Sequence, residues 1–327
     1  MKPPAGPSEA APDTPIRIGV SSCLLGNAVR FDAGHKRDGF LVDMVGPHVD
    51  WVPVCPEVEL GLGIPRPTLR LERADGDVRL VQPKTGSNYT AAMRRYAANR
   101  VAQLAAEELC GYVLKKDSPS CGMERVKVYD GRAMPSKSGR GLFAEALMRR
   151  LPNLPIEEEG RLNDPALRES FIERVFAYHR LRALFTRRWT VGGVVALHTA
   201  HKLQLMAHAP KAYAELGRLV ANAKTMPRPQ LRERYESAFM QALGVSATRR
   251  RQVNVLQHIL GYFSKHLDAA SRQEMLSLID DYRNELVPLI VPLTLIRHYV
   301  RRYAVAYLQG QTYLEPHPRE LLLRNHV

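Results

Sequence analysis

The amino-acid sequence predicts two successive folds: an α/β N-terminal domain with a mainly parallel sheet, followed by an all-α helical domain. Three observations predict this. Over residues 16–160 short apolar runs alternate with segments of helical period, over residues 161–327 only the helical period remains, and charge divides at the same boundary. Residues 1–160 carry 22 Lys and Arg against 20 Asp and Glu, a net of +2, whereas residues 161–327 carry 25 against 13, a net of +12. The whole chain of 327 residues, 45% hydrophobic and 24% charged, has the composition of a soluble globular protein with room for two ordinary cores. No run of 18 apolar residues occurs, so no membrane partner is expected, and no oligomeric state is implied.

Residues 1–15 hold five prolines and no apolar segment, and are expected to be a disordered lead-in, not a signal peptide. A cytoplasmic location is then expected, where thiols serve more often as ligands or nucleophiles than in disulfides. "IRIGVSSC" (16–23) reads as a buried strand and "VDWVPVCPE" (49–57) as a second. Residues 88–109 read as a helix that buries Ala92, Tyr96, Val101 and Leu104 and closes at Gly111. "GYVLKK" (111–116) is the third strand and "RGLFAEALMRRL" (140–151) a further helix. After "IEEEGRLNDP" (156–165), Asp164 followed by Pro165 opens a helix running to residue 188. Further helices are expected over residues 190–209, 210–224, 227–243, 246–267, 269–287 and 292–309, with short Pro/Gly connections that suit a bundle.

Cys23, Cys55 and Cys121 share one context: each follows a strand and precedes a Leu, Pro or Gly that turns the chain. The carboxyl ends of parallel strands converge on one crevice, so residues 32 and 66 positions apart come within reach of each other. This dispersed spacing is not that of a zinc ribbon. Three thiolates suit an iron–sulfur cluster with one iron left open; the competing reading is three core cysteines. Cys110, at a helix end in apolar surroundings, reads as packing. In "LKKDSPSCGM" (114–123), Pro119 lacks an amide donor and Gly122 frees the backbone, so Cys121 is expected in a fixed turn.

"SSCLLGNAVRFDAG", "VPVCPEVELGLGIPRP" and "KKDSPSCG", in that order, resemble the thiouracil desulfidase family over residues 16–158. The resemblance implies that Cys23, Cys55 and Cys121 hold a 4Fe-4S cluster. It also implies a reaction in which water replaces the sulfur of a thiocarbonyl base without net electron transfer. The pattern departs at Ala28-Val29, where many relatives carry a further cysteine, and at Ala33, which interrupts Asp32 and Gly34. "LHTAHKLQLMAH", "LQHILGYF" and "QTYLEPHP" resemble a helical domain often fused to this family, and the fused form resembles a desulfidase of 4-thiouridine in tRNA. A desulfidase of free thiouracil and a non-catalytic iron–sulfur nucleic-acid sensor are the competing readings.

Glu57, two residues past Cys55, is the expected proton acceptor for water; the other reading is that it caps the following turn. Ser118 and Ser120 are expected to donate to substrate, or only to shape the turn. Arg30, Asp32, Lys115 and Lys116 are candidate substrate contacts, with a salt-bridged surface as the alternative. The basic second half makes tRNA the expected partner, with Lys202, Arg218, Arg249, Arg250, Arg251, Arg297, Arg301 and Arg302 as candidate phosphate contacts. The target base would have to leave its stack to reach a crevice. His198, His201, Leu205 and His208 fall on one helical stripe, which reads as a helix seam or an RNA face ahead of a metal site.

Overall fold

The structure, a computed structural model, describes residues 14–131, 134–186 and 188–326. Residues 1–13 of the expected lead-in lie outside the described residues. Pro15–Leu167 form one unit and the residues from Arg168 onward the other. No helix among the described residues is long and apolar enough to cross a membrane.

In the first unit the chain runs β1 (Arg17–Ser21), β2 (Asp50–Val54), the short α1 (Pro56–Glu59), β3 (Arg70–Ala74), β4 (Asp77–Val81), α2 (Thr90–Ala106), β5 (Gly111–Leu114), β6 (Val126–Tyr129), β7 (Ser136–Gly139), α3 (Leu142–Arg150) and β8 (Ile156–Glu158). The main sheet has the order β2-β1-β5-β8 with every pair parallel. Its central strands are apolar without alternation because both faces are covered: Ile18, Val20, Tyr112, Val113 and Leu114 are fully buried. At the middle of β1, Gly19 lies beneath the Tyr112 ring, and a Cβ there would come within 2.2 Å of Tyr112 Cδ2. Gly19→Ala is therefore expected to destabilise this unit by about 3 kcal/mol through overpacking, read as a lowered denaturation midpoint at unchanged slope.

A second, mixed sheet of order β4-β3-β6-β7 was not legible in the sequence. Asp75 and Gly76, both at positive φ, close the β3–β4 hairpin. Leu71, Leu80, Val126 and Val128 from this sheet pack on Met93 of α2 and Leu142 of α3. The buried stripe of α2 is Met93, Ala97, Val101 and Leu104, so Ala92 and Tyr96 lie half-buried beside it. This helix stops at Ala106, and a left-handed Glu108 turns the chain into β5, which begins at Gly111.

The second unit is helical: α4 (Pro165–Thr186), α5 (Val191–Ala200), α6 (Lys202–His208), α7 (Pro210–Ala221), α8 (Arg228–Gly244), α9 (Arg249–Gly261), α10 (Ala269–Arg283), α11 (Ile290–Tyr303) and α12 (Ala306–Gln309). Asp164 Oδ1 accepts the amides of Ala166 and Leu167 at 2.9 and 3.0 Å, as an N-cap should. The helix expected over 190–209 is divided at His201, whose backbone leaves helical geometry while its ring Nδ1 bonds the Leu197 carbonyl at 2.8 Å. Thr248 and Asp268 cap α9 and α10, so α9 starts later than the sequence suggests. Val255, Leu256 and Ile259 of α9, Met275 and Ile279 of α10, and Leu293 and Ile296 of α11 form the core with Leu203 and Tyr313. Arg324, 3% exposed, is ion-paired there to Glu169 and Glu173.

Candidate cysteine-lined active site

Three strand ends of the main sheet deliver three thiols to one cavity of about 330 Å³, lined by Cys23, Cys55 and Cys121. Cys23 sits in the single helical turn that follows β1, which Gly26 ends at φ 94°. Cys55 is the N-cap of α1, with Pro56 at the first helical position. Glu59 reaches back to accept the Cys55 amide at 3.0 Å, so Glu59, not Glu57, braces this turn.

Cys121 is held from two sides. Ser118 Oγ accepts its amide at 3.1 Å, and the carbonyls of Pro119 and Ser120 accept the first amides of α3 at 3.0–3.3 Å. Gly122 is required by crowding: a Cβ there would meet Val126 Cγ2 at 2.3 Å and the Ser118 carbonyl at 2.8 Å. Its role is thus close approach of backbone, and not the conformational freedom expected from sequence.

All four cysteines are free thiols; Cys55 is half-buried and the others buried. Burial pushes Cys23 up to about 11, against the opposing pull of Lys115 and Arg30. Burial likewise raises Cys55, opposed by Arg66, and raises Cys121 further. Such thiols are protonated at neutral pH, and binding a metal centre to them would release those protons.

Glu57 faces the same cavity with both oxygens engaged. Arg66 Nε and Nη2 donate to Oε2 at 2.9 and 2.8 Å, and Ser120 Oγ donates to Oε1 at 2.7 Å. Arg66 is only 8% exposed, and its Nη1 donates to the Val29 carbonyl at 2.9 Å. Ser118 and Ser120 hydroxyls are 3.0 Å apart. Because Ser120 gives its proton to Glu57, Ser118 is the donor between them, and the hydroxyls form a directed chain Ser118–Ser120–Glu57.

Lys115 and Lys116 also line the cavity. Lys115 Nζ is ion-paired to Glu159, just past β8, and Glu159 Oε2 accepts the Lys116 amide at 2.8 Å. Arg30 lines the cavity, whereas Asp32 does not. Asp32 braces its own loop, accepting the Gly34 amide at 3.1 Å and lying 3.5 Å from Arg30; the Gly34 amide holds its carboxyl below the usual range. Sequence reasoning missed Arg66 and Glu159. The signals were an arginine inside "GIPRP", part of a motif that carries the family resemblance, and a third glutamate at the end of "IEEE", where the two compositions divide.

In the helical unit, Arg249 donates to the Tyr282 carbonyl at 3.0 Å and Arg251 to the His208 carbonyl at 2.8 Å. Arg297 is 11% exposed, while Arg218, Arg250, Arg301 and Arg302 are exposed and Lys202 half-buried. The histidine stripe is interior: His198, His201 and His208 are 1–3% exposed. His208 bonds Glu173 Oε2 at 3.1 Å, an acidic partner supplied by α4 and not visible from the stripe's own surroundings in sequence. Against the cost of burial, Arg324 and His208 hold the Glu173 carboxyl well below its usual range.

Burial lowers His198 to about 4 and His201 to about 3, with Lys202 and Arg180 adding to it respectively. These neutral rings contribute their full stability above pH 6.5. As pH falls, the unfolded chain takes up protons that the folded rings refuse, and stability is lost down to about 4 and 3. At pH 5 the loss is about 2 kcal/mol per ring. Denaturant unfolding of the helical unit at pH 7.5 and pH 5 checks this, and equal stability at both would contradict it.

A parallel sheet that brings three thiols, a carboxylate and a hydroxyl chain to one crevice belongs to an enzyme with a sulfur-ligated centre. The family model described as 2-thiouracil desulfurase matches residues 18–159, and one described as a protein of unknown function (DUF1722) matches residues 202–318. The first unit, over residues 18–159, therefore matches the 2-thiouracil desulfurase domain. The uncharacterized protein YbgA of Escherichia coli (strain K12) is 36% identical over 158 residues, 48% of this chain and 94% of its own length. A solved [4Fe-4S]-dependent thiouracil desulfidase, TudS, is 31% identical over 47% of this chain and 98% of its own, with a TM-score of 0.39.

Proposed function

We propose that the chain is a 4Fe-4S-dependent desulfidase that converts 4-thiouridine in tRNA to uridine with release of sulfide. The observation that carries the chemistry is the meeting of Cys23, Cys55 and Cys121 with Glu57 around one cavity. The donor set suits the group: three soft thiolates, one fewer than most clusters take, leave one metal atom without a protein ligand. Among the described residues no three His, Cys, Asp or Glu side chains are set to hold a single ion. Arg30, Lys115 and Arg66 offset the negative charge of the thiolates. When bound, the cluster supplies a soft Lewis acid for the sulfur of a thiocarbonyl.

Glu57 takes the proton of the attacking water at Oε1, while Arg66 keeps the carboxylate oriented through Oε2. The Ser118–Ser120 chain donates towards the carboxylate and so returns a proton to it; leading the water's proton away requires both hydroxyls to turn over. The base exchanges C=S for C=O, water supplies the oxygen, and sulfur leaves as sulfide, so no electron is gained or lost. Glu159 restrains Lys115 and the Lys116 amide at the cavity rim.

The tRNA substrate is supported by charge. A free base needs no polyanion partner, whereas the +12 of residues 161–327 suits a phosphate backbone. Desulfuration of free thiouracil is the second reading, since a 330 Å³ cavity admits a free base as well as an extruded one. The reconstituted protein, offered tRNA containing 4-thiouridine and free thiouracil in parallel, separates the two by loss of thiocarbonyl absorbance. We expect turnover of the tRNA, with affinity falling at least about tenfold between 50 and 200 mM salt. Turnover of thiouracil alone, insensitive to salt, would sink the tRNA reading. Inactivity on both would leave a non-catalytic sensor.

A further inference from the structure

We infer that the helical unit carries a second binding site, a pocket between α11 and the chain's last segment built to take a phosphate group. Along α11, Ile290, Thr294, Arg297 and Arg301 are spaced four, three and four residues apart and so share one stripe. The segment from Leu314 to Asn325 folds over that stripe and leaves a cavity of about 280 Å³. Four arginines line it, Arg297, Arg301, Arg319 and Arg324, against a single carboxylate, Glu315.

The pairing is incomplete in a specific way. Arg324 is already satisfied by Glu169, Glu173 and the Tyr313 carbonyl at 2.7 Å. Arg297, 11% exposed, has Glu315 Oε1 at 3.8 Å, too far for a hydrogen bond, and that oxygen is also paired with Arg319. Arg301, exposed, lines the same cavity, whose one carboxylate, Glu315, is paired among the described residues with Arg297 and Arg319. Three guanidinium groups thus face one carboxylate, leaving two positive charges in excess around a small, partly desolvated space. Arg297 is shielded while Arg301 and Arg319 are exposed, so the like charges repel through a partly wet space, and an anion removes the excess.

Two further features fit that ligand. Leu322 and Arg324 hold φ of 51° and 69°, left-handed conformations that non-glycine residues keep only where their surroundings impose them. That bend lies within the segment that carries Arg319 and Arg324 to the same wall. His317, on the same wall, has a buried Nε2 without a partner while its Nδ1 donates to the Pro318 carbonyl at 3.0 Å. The planar, forked donors of arginine match phosphate oxygens, and the proton of a monohydrogen phosphate offers a donor for a bare ring nitrogen.

Inorganic phosphate supplies both the second charge and that proton, and a small phosphomonoester either one, whereas a nucleic-acid backbone phosphate carries one charge and no proton and would use the arginines alone; the test distinguishes them. Calorimetric titration of the full-length holoprotein with inorganic phosphate, at constant ionic strength in chloride, should show one saturable site. Arg301→Glu, at an exposed position that leaves the fold intact by its melting curve, should weaken that site at least about tenfold. Heat that never saturates, or saturation unchanged in the variant, overturns the pocket. Phosphate that displaces bound tRNA from the native protein, but not from the variant, assigns the site to a backbone phosphate; phosphate that binds without displacing tRNA assigns it to a small ligand. The pocket does not depend on the tRNA reading: a chain that binds phosphate and no tRNA would defeat that reading and keep this one.

Discussion

Cys55→Ala is expected to remove both the brown iron–sulfur chromophore and all measurable desulfuration, below about a thousandth of the native rate, or more than ~4 kcal/mol of transition-state stabilisation. Cys55 is the most informative of the three cysteines because it is half-buried, whereas Cys23 and Cys121 are buried. Truncation at Cys121 would leave a void and a chemical defect together; truncation at Cys55 leaves α1 its Pro56 start and the Glu59 brace on the residue-55 amide. Far-ultraviolet circular dichroism and the melting midpoint of the cluster-free proteins should therefore match within error. An intact chromophore in Cys55→Ala would show that this thiol is not a ligand, and the proposed donor set would fall with it.

Glu57→Gln should lower kcat about 10²–10⁴-fold while the chromophore survives, since the amide cannot accept a proton from water. The substitution has a structural cost that must be separated from the chemical one. Arg66 and Glu57 are both shielded, with side chains 4% and 14% exposed, so removing the carboxylate charge strands a buried guanidinium at a cost of about 3–5 kcal/mol. Arg66→Met with Glu57 retained supplies the control. It breaks the same pair, yet keeps the proton acceptor at Oε1 and the Ser120 bond to it. We expect Arg66→Met to lose about as much stability as Glu57→Gln but to retain far more single-turnover rate. Equal rates in the two variants would reduce Glu57 to a structural partner of Arg66.

Much of this arrangement was legible before folding was considered. Unalternated apolar strands demanded a sheet covered on both faces, and that implied parallel strands whose carboxyl ends meet. Placing Cys23, Cys55 and Cys121 at those ends needed only local pattern. The second sheet escaped because "RLERA", "DVRLV" and "VKVY" are only four or five residues long and interleave apolar residues with charges, too short a run for the strand period to stand out. In α2 Val101 and Leu104 are buried as expected, but the first half was misread by one position: Met93, packed with Leu71 and Leu80, and Ala97 are buried in place of Ala92 and Tyr96. His208 looked unpartnered because Glu173 lies 35 residues away, on another helix.

Local periodicity and composition, which act over a few residues at a time, were enough to decide the order of the two folds, the three cysteine-bearing strand ends and the concentration of positive charge in residues 161–327. Only the folded chain decided how the polar groups pair. Arg66 fastens one oxygen of Glu57 and Ser120 the other across 63 positions of sequence, Glu159 holds Lys115 across 44, and α11 meets the final segment to crowd arginines around Glu315. Hydrogen bonds and ion pairs depend on distances of a few ångströms and on donor angle, and those are properties of the packed chain, not of neighbouring letters.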